Sequence, residues 1–182
     1  MTIDRPVIYF DMDGVLTEYD RSLYETKDGS IPLFLRHKSH VFKHLKPNVS
    51  MVNLYNELRN SQHDIHVKIL TSIPVGLLQF EHTYDKFIWC KYHLQPFSDD
   101  DFFCVSVPKH QAVADSLWPL RRHHLLLDDW NENLYNWQDH GGTAVKCLNG
   151  INSYNERFPT LDITWSIPDM MERLTALAFG EE

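Results

Sequence analysis

Val7-Ile-Tyr-Phe-Asp-Met-Asp-Gly-Val-Leu-Thr17 is the stretch on which the reading of the fold turns. Residues 7 to 10 are apolar, β-branched or aromatic, the composition of a short buried strand. Asp11 and Asp13 follow two positions apart, so an extended backbone points both carboxylates the same way. Gly14 then lets the chain turn sharply with no Cβ in the way. Two carboxylates at the end of a buried strand repel unless a cation lies between them. A hard cation such as Mg²⁺ takes oxygen ligands and keeps places for water and phosphate oxygens. The stretch is therefore read as a phosphate-and-metal site at the end of a central strand, weighed against a plain acidic loop.

Working outward, Val67 to Leu70 makes a second core strand and delivers Thr71-Ser72 before Pro74 breaks the chain. Phe102 to Val107 makes a third, closed by Pro108 and followed by Lys109. Leu125 to Leu127 makes a fourth, ending in Asp128-Asp129, and Thr143 to Leu148 a fifth. Helical periodicity runs through residues 50 to 60, with Ser50 as N-cap candidate, and through Leu77 to Leu94. It recurs over His110 to Leu117 and over Asn131 to His140, where Gly141-Gly142 stops it. Ile167-Pro168 opens a last helix with Met171, Leu174, Leu177 and Ala178 as its apolar face. Strands alternating with helices predict an α/β fold with a doubly wound parallel sheet. Ligands gather outside the carboxyl ends of such strands. Asp11, Asp13, Thr71, Ser72, Lys109, Asp128 and Asp129 all fall there.

The 182 residues, 43% hydrophobic and 13% aromatic, suffice for one well-buried domain spanning 1–182. Residues 18 to 46 interleave Tyr19, Tyr24, Phe34 and Phe42 with Arg36, His37, Lys38, His40, Lys43, His44 and Lys46. They are read as a small, partly helical cap inserted after the first strand. A net charge of −8 argues against general binding to nucleic-acid backbone or anionic membrane. Cys90, Cys104 and Cys147 are odd in number and carry no CxxC, with Cys104 and Cys147 expected as core thiols. A reducing cytoplasmic setting is the expectation. No apolar signal segment opens the sequence, and no stretch approaches the ~20 apolar residues of a membrane span.

The chemistry these groups suggest is phosphoryl transfer. Asp11 is the candidate nucleophile, forming an acyl phosphate that water cleaves. Asp13 would protonate the leaving oxygen and then take a proton from the water, which asks for a pKa lifted towards neutrality. Thr71 and Ser72 would hold the phosphoryl oxygens, Lys109 would neutralise nucleophile and phosphate, and Asp128 and Asp129 would complete the metal site.

Asp11-Met-Asp-Gly-Val-Leu-Thr, Leu70-Thr-Ser, Lys109 and Leu127-Asp-Asp together resemble the four motifs of the haloacid dehalogenase (HAD) superfamily. Within it the chain looks most like the 5′(3′)-deoxyribonucleotidase and 5′-nucleotidase branch. Phe42-Lys-His-Leu-Lys-Pro, Asp85-Lys-Phe-Ile-Trp, Asp128-Asp-Trp-Asn-Glu-Asn, Trp137 and Gly141-Gly142 carry that finer likeness. The match covers roughly residues 6 to 148. The resemblance implies a HAD-like Rossmannoid sheet, Mg²⁺, Asp11 as nucleophile and Asp13 as acid/base. It further implies the Asp11 carboxylate, the Asp13 carbonyl and one of the paired aspartates, Asp129 in preference to Asp128, as metal ligands. Tyr19 stands where an aromatic residue packs near the base, and Phe34 and Phe42 are further pocket candidates. The segment from Lys109 to Asp128 is longer than in the animal enzymes, which leaves Arg121 or Arg122 open as substitutes for Lys109.

The remaining features have plainer readings. His37, His40 and His44 share one helical face and could hold zinc, but a solvated or substrate-facing surface suits their basic surroundings better. The tryptophans 89, 130 and 137 read as core or rim packing. Asp99 to Asp101 reads as a loop before a strand. The expectation is a Mg²⁺-dependent phosphatase of small monoesters, nucleoside or deoxynucleoside monophosphates first. Other phosphometabolites, nucleic-acid 3′-phosphate ends and a non-catalytic phospholigand-binding module stand as alternatives. A homodimer is compatible with the sequence but not specified by it.

Overall fold

Strand β1 (Val7–Phe10) lies in the interior of a six-stranded sheet in which every pairing is parallel. The structure is a computed structural model that describes residues 5–19, 40–73, 75–76, 78–117 and 119–181, without the side chains of 115–117. After β1 come α1 (Val49–Asn60), β2 (His66–Ser72), α2 (Gln79–His93), β3 (Phe102–Val105) and α3 (Lys109–Leu117). Then follow β4 (His124–Asp128), α4 (Asn131–Asp139), β5 (Thr143–Leu148), β6 (Thr160–Asp162) and α5 (Ile167–Phe179). The spatial order is β3-β2-β1-β4-β5-β6. The chain thus works outward from β1 to one edge, crosses back, and works outward from β4 to the other edge. The point of reversal lies between β1 and β4, where open α/β sheets leave a crevice at the strand ends.

Alternation along β1 divides the interior into two layers. Ile8 and Phe10 face a core shared with Leu54, Tyr55 and Leu58 of α1, Trp89 and Cys90 of α2, and Met170 and Leu174 of α5. Val7 and Tyr9 face the other side, against Val113 of α3 and Leu134 and Trp137 of α4. The Trp137 indole is fully buried, donates to the His124 carbonyl at 3.0 Å and meets the Tyr9 ring edge-on at 5.3 Å. Both faces of β1 and β4 are covered, which is why their sequences run continuously apolar instead of alternating.

Several expectations shift at the boundaries. The third strand stops at Val105, because Ser106 and Val107 bend away before Pro108. Helix α1 is capped by Asn48, whose side chain accepts from the Met51 amide at 3.4 Å, and Ser50 lies inside the helix. The edge strand β6 was absent from the sequence reading; its three residues give too short an alternation to register. Cys147 is fully buried, whereas Cys104, on edge strand β3, is only half-buried. Asp99–Asp101 forms a 3₁₀ turn with Asp101 paired to Arg59 at 2.9 Å and Asp99 to Lys91 at 3.1 Å, more than a plain loop. Of the expected cap at 18–46, residues 20–39, including Tyr24, Phe34, Arg36, His37 and Lys38, lie outside the described residues. Among the described residues no helix is long and apolar enough to cross a membrane.

Candidate active site

The carboxyl ends of β1 and β4 meet in register, with Phe10 opposite Leu127 and the Asp11 amide donating to the Leu127 carbonyl at 2.9 Å. This pairing sets Asp11 beside Asp128, and Asp129 follows on the same turn. Carboxylate oxygens of all three lie within 4.8 Å of one another, and all three residues are buried. Lys109, the first residue of α3, reaches into the cluster. Its ammonium contacts Asp11 Oδ1 at 2.7 Å and Asp128 Oδ2 at 2.6 Å, and the side chain is 2% exposed.

Each aspartate is held differently. Asp128 accepts from the Trp130 amide through Oδ1 at 2.8 Å and from Asn133 Nδ2 through Oδ2 at 2.9 Å, in addition to Lys109. Both its oxygens are engaged. Asp129 accepts at Oδ2 from Asn149 at 2.8 Å and Asn152 at 2.9 Å, while buried Lys146 donates to its backbone carbonyl. No described hydrogen bond engages its Oδ1. Gly14 explains how Asp129 fits: its φ of +77° is a left-handed turn, and a Cβ there would stand 2.5 Å from Asp129 Oδ2.

Electrostatics favour a cation here. Burial, with repulsion from Asp128 and Asp13, lifts the Asp11 carboxyl well above the ordinary carboxylate range against the pull of Lys109. Burial, with Asp128 beside it, pushes Asp129 up to about 6, against the hydrogen bonds of Asn149 and Asn152. Although burial opposes its charge, Asp11 and Asp128 hold the Lys109 ammonium above its usual range. Three close carboxylates against Lys109 leave an excess of negative charge that a divalent cation would offset. An all-oxygen donor set suits Mg²⁺.

Asp13 sits a little further out, with its side chain 20% exposed. Its Oδ2 accepts a short hydrogen bond from Lys86, which also donates to Thr71 Oγ1 at 2.8 Å and to the Ser72 carbonyl at 2.9 Å. The structure therefore brings Asp11, Asp13, Thr71, Ser72, Lys109, Asp128 and Asp129 to one end of the sheet. Arg121 and Arg122 lie before β4, at the opposite end of that strand from Asp128, so neither stands in for Lys109. The Phe42 ring is buried, lies 4.8 Å beneath the Lys86 ammonium and meets His82 edge-on. It supports Lys86 in this arrangement instead of lining an open pocket. Tyr19 is half-buried at the last described position before residue 20. His40 pairs with Asp85 at 2.6 Å, His44 is exposed, and His37 lies outside the described residues. The metal-capable group found among the described residues is the aspartate cluster instead.

Lys86 was missed as a site residue, although a signal was present. His82, Asp85 and Lys86 share the buried face of α2 with Trp89 and Cys90. Charged groups at core positions of an amphipathic helix stay there only with partners. Asn149 and Asn152 gave no such signal, because their partner Asp129 follows a different strand; Asn133 lies only five residues after its partner Asp128, within the quoted Asp128-Asp-Trp-Asn-Glu-Asn run.

No family model and no curated protein matches the chain. A crystal structure from Mesorhizobium loti, of a protein assigned as a HAD-like phosphatase, is similar in fold. It superposes with a TM-score of 0.56 at 10% identity, over 95% of this chain and 87% of that one. At that identity the likeness carries the architecture alone: this chain shares the α/β fold of that protein, an all-parallel six-stranded sheet with helices on both faces.

Proposed function

We propose that the chain is a Mg²⁺-dependent phosphomonoester hydrolase that acts through an aspartyl phosphate on Asp11. Its proposed substrates are small phosphorylated metabolites, nucleoside and deoxynucleoside monophosphates first. The observation that carries this reading is Lys109 bridging Asp11 and Asp128 inside a buried three-aspartate cluster at the sheet's switch point. Asp11 attacks phosphorus, forming a new P–O bond as the ester P–O bond breaks, and Asp13 gives its proton to the departing oxygen. Asp13 then takes a proton from water, which attacks the same phosphorus and releases phosphate from a restored Asp11. Lys109, the Thr71 hydroxyl and Ser72 hold phosphoryl oxygens, with Lys86 supplying a second cation on the Asp13 side. Mg²⁺, held by Asp11, the Asp13 carbonyl and Asp129, would supply electrostatic stabilisation of the charge that develops on the phosphoryl group. Asp129 suits ligation better than Asp128, since both oxygens of Asp128 are already engaged. Unpaired thiols at Cys90, Cys104 and Cys147 agree with a cytoplasmic setting.

The test is phosphate release from a panel of nucleoside 5′- and 3′-monophosphates, sugar phosphates and a 3′-phosphorylated oligonucleotide, with Mg²⁺ and with EDTA. Metal-dependent release concentrated on deoxynucleotides supports the whole reading. Release from sugar phosphates alone keeps the chemistry and removes the nucleotide assignment. Binding of Mg²⁺ with no release from any substrate overturns the enzyme reading.

A further inference from the structure

The C-terminal half of α2 bounds a separate cavity of about 410 Å³, closed on its other side by residues 43–47. Lys43 and Lys46 stand on that wall, and Ile88, Trp89, Tyr92 and His93 on the helix. None of the described lining residues is Asp or Glu, in a chain whose net charge is −8. Described walls that carry two lysines and no carboxylate make a place for an anion. Its apolar side is aromatic and stepped. The Trp89 indole is buried and donates to the Leu45 carbonyl at 2.8 Å, and its ring lies against His93 with centroids 4.5 Å apart. His93 in turn meets Tyr92, whose side is open to solvent at 79% exposure. Cations beside exposed aromatic faces suit a phosphate joined to a planar base, since every base offers a π-face. The volume is in the range of small-ligand pockets.

The cavity wall is also hydrogen-bonded to the loop that carries Asp13, the proposed acid. Lys46 accepts the Glu18 amide at 2.8 Å, Leu16 accepts the Asn48 amide at 2.8 Å, and Thr17 bridges to Pro47. At the start of the same segment, Phe42 lies under Lys86, which holds Asp13.

We propose that this cavity is a second, non-catalytic site for a nucleotide unit, with the phosphate facing Lys43 and Lys46 and the base against Tyr92 and His93. Through residues 42–48, occupancy bears on the loop that positions Asp13. The occupant is a free nucleotide or the end of a single strand, which share this chemistry. The proposal stands on its own residues and does not depend on what the aspartate cluster hydrolyses.

The experiment follows the indole N–H resonance of Trp89, assigned with Trp89→Phe, while adenosine 5′-monophosphate is added in EDTA. The wild-type resonance is expected to shift saturably. Lys43→Glu with Lys46→Glu, and separately Tyr92→Ala, are expected to weaken that binding at least about tenfold with unchanged circular dichroism. A pentathymidylate carrying a 5′-phosphate is run in parallel; tighter binding than the mononucleotide names a strand end, weaker binding a free nucleotide, and either supports the site. A Trp89 resonance that stays still at millimolar nucleotide overturns the proposal. So does an equal shift in the variants, or the same shift with inorganic phosphate alone. The monoester panel can fail without touching these results, and the reverse holds too.

Discussion

Replacing Gly14 by alanine probes the junction between the first aspartate loop and Asp129. Two terms add. The backbone there has φ +77°, which costs a non-glycine residue roughly 1–2 kcal/mol. The new Cβ would also stand 2.5 Å from Asp129 Oδ2 and 2.9 Å from its Cγ. Ordinary contact needs about 3.5 Å, so the carboxyl must retreat by roughly 1 Å. That retreat disrupts its hydrogen bonds from Asn149 and Asn152, at about 1 kcal/mol net each. The sum is roughly 3–4 kcal/mol. Gly150 is the control, since it has φ +76° and nothing within 4 Å of an added Cβ. Gly150→Ala should lose only the backbone term, about 1–2 kcal/mol. In thermal unfolding with EDTA the two variants should differ by about 4–8 °C, at about 2–4 °C per kcal/mol for a chain of this size. Calorimetry should also show weaker Mg²⁺ binding for Gly14→Ala alone. Equal losses of stability in the two variants, with Mg²⁺ binding unchanged in both, would refute the reasoning.

Other consequences follow from the same contacts. Lys86→Met should lower kcat/KM for any active monoester by at least about tenfold, because a cation beside Asp13, Thr71 and Ser72 is lost; unchanged kinetics would remove Lys86 from the site. Asp129 has a folded pKa of about 6, above its unfolded value of 3.8, so its contribution is fully present below the unfolded value and declines as pH rises to the folded one. Metal-free Asp129→Asn should therefore gain stability relative to wild type between pH 4 and about 7, as urea titrations at each pH would show. Mg²⁺ should bind wild type more tightly at pH 8 than at pH 5.5, since its ligands must be unprotonated, and pH-independent calorimetric affinity would contradict the aspartate assignment. Trp137→Ala should lower stability by roughly 3–5 kcal/mol in urea unfolding, as its indole is fully buried and bonded to the His124 carbonyl.

The elements nearest the site were the most legible in the sequence. β1 and β4 are buried on both faces, so Val7–Phe10 and Leu125–Leu127 read as unbroken apolar runs ending in carboxylates. A doubly wound sheet then brings those strand ends together whatever the helices between them do. What stayed hidden depends on contacts across the chain. Asn149 and Asn152 lie in a polar loop whose residue types are ordinary for a turn. Their role exists only because β5 lies beside β4 and places that loop against Asp129. β6 was hidden for a different reason, since three residues paired on one side carry almost no periodicity. Lys86 falls between these cases. Its burial on the Trp89 face of α2 could be read from helical spacing, but its partner Asp13 lies 73 positions away.

The central claim is that Asp11 itself takes the phosphoryl group, and it can be tested directly. Wild-type protein is quenched in acid during turnover of a monoester labelled in its phosphate, and the peptides are mapped. The account predicts label on the peptide holding Asp11, none in Asp11→Asn, and a loss of turnover of at least about 10³-fold in that variant. Turnover by Asp11→Asn at an undiminished rate would contradict it.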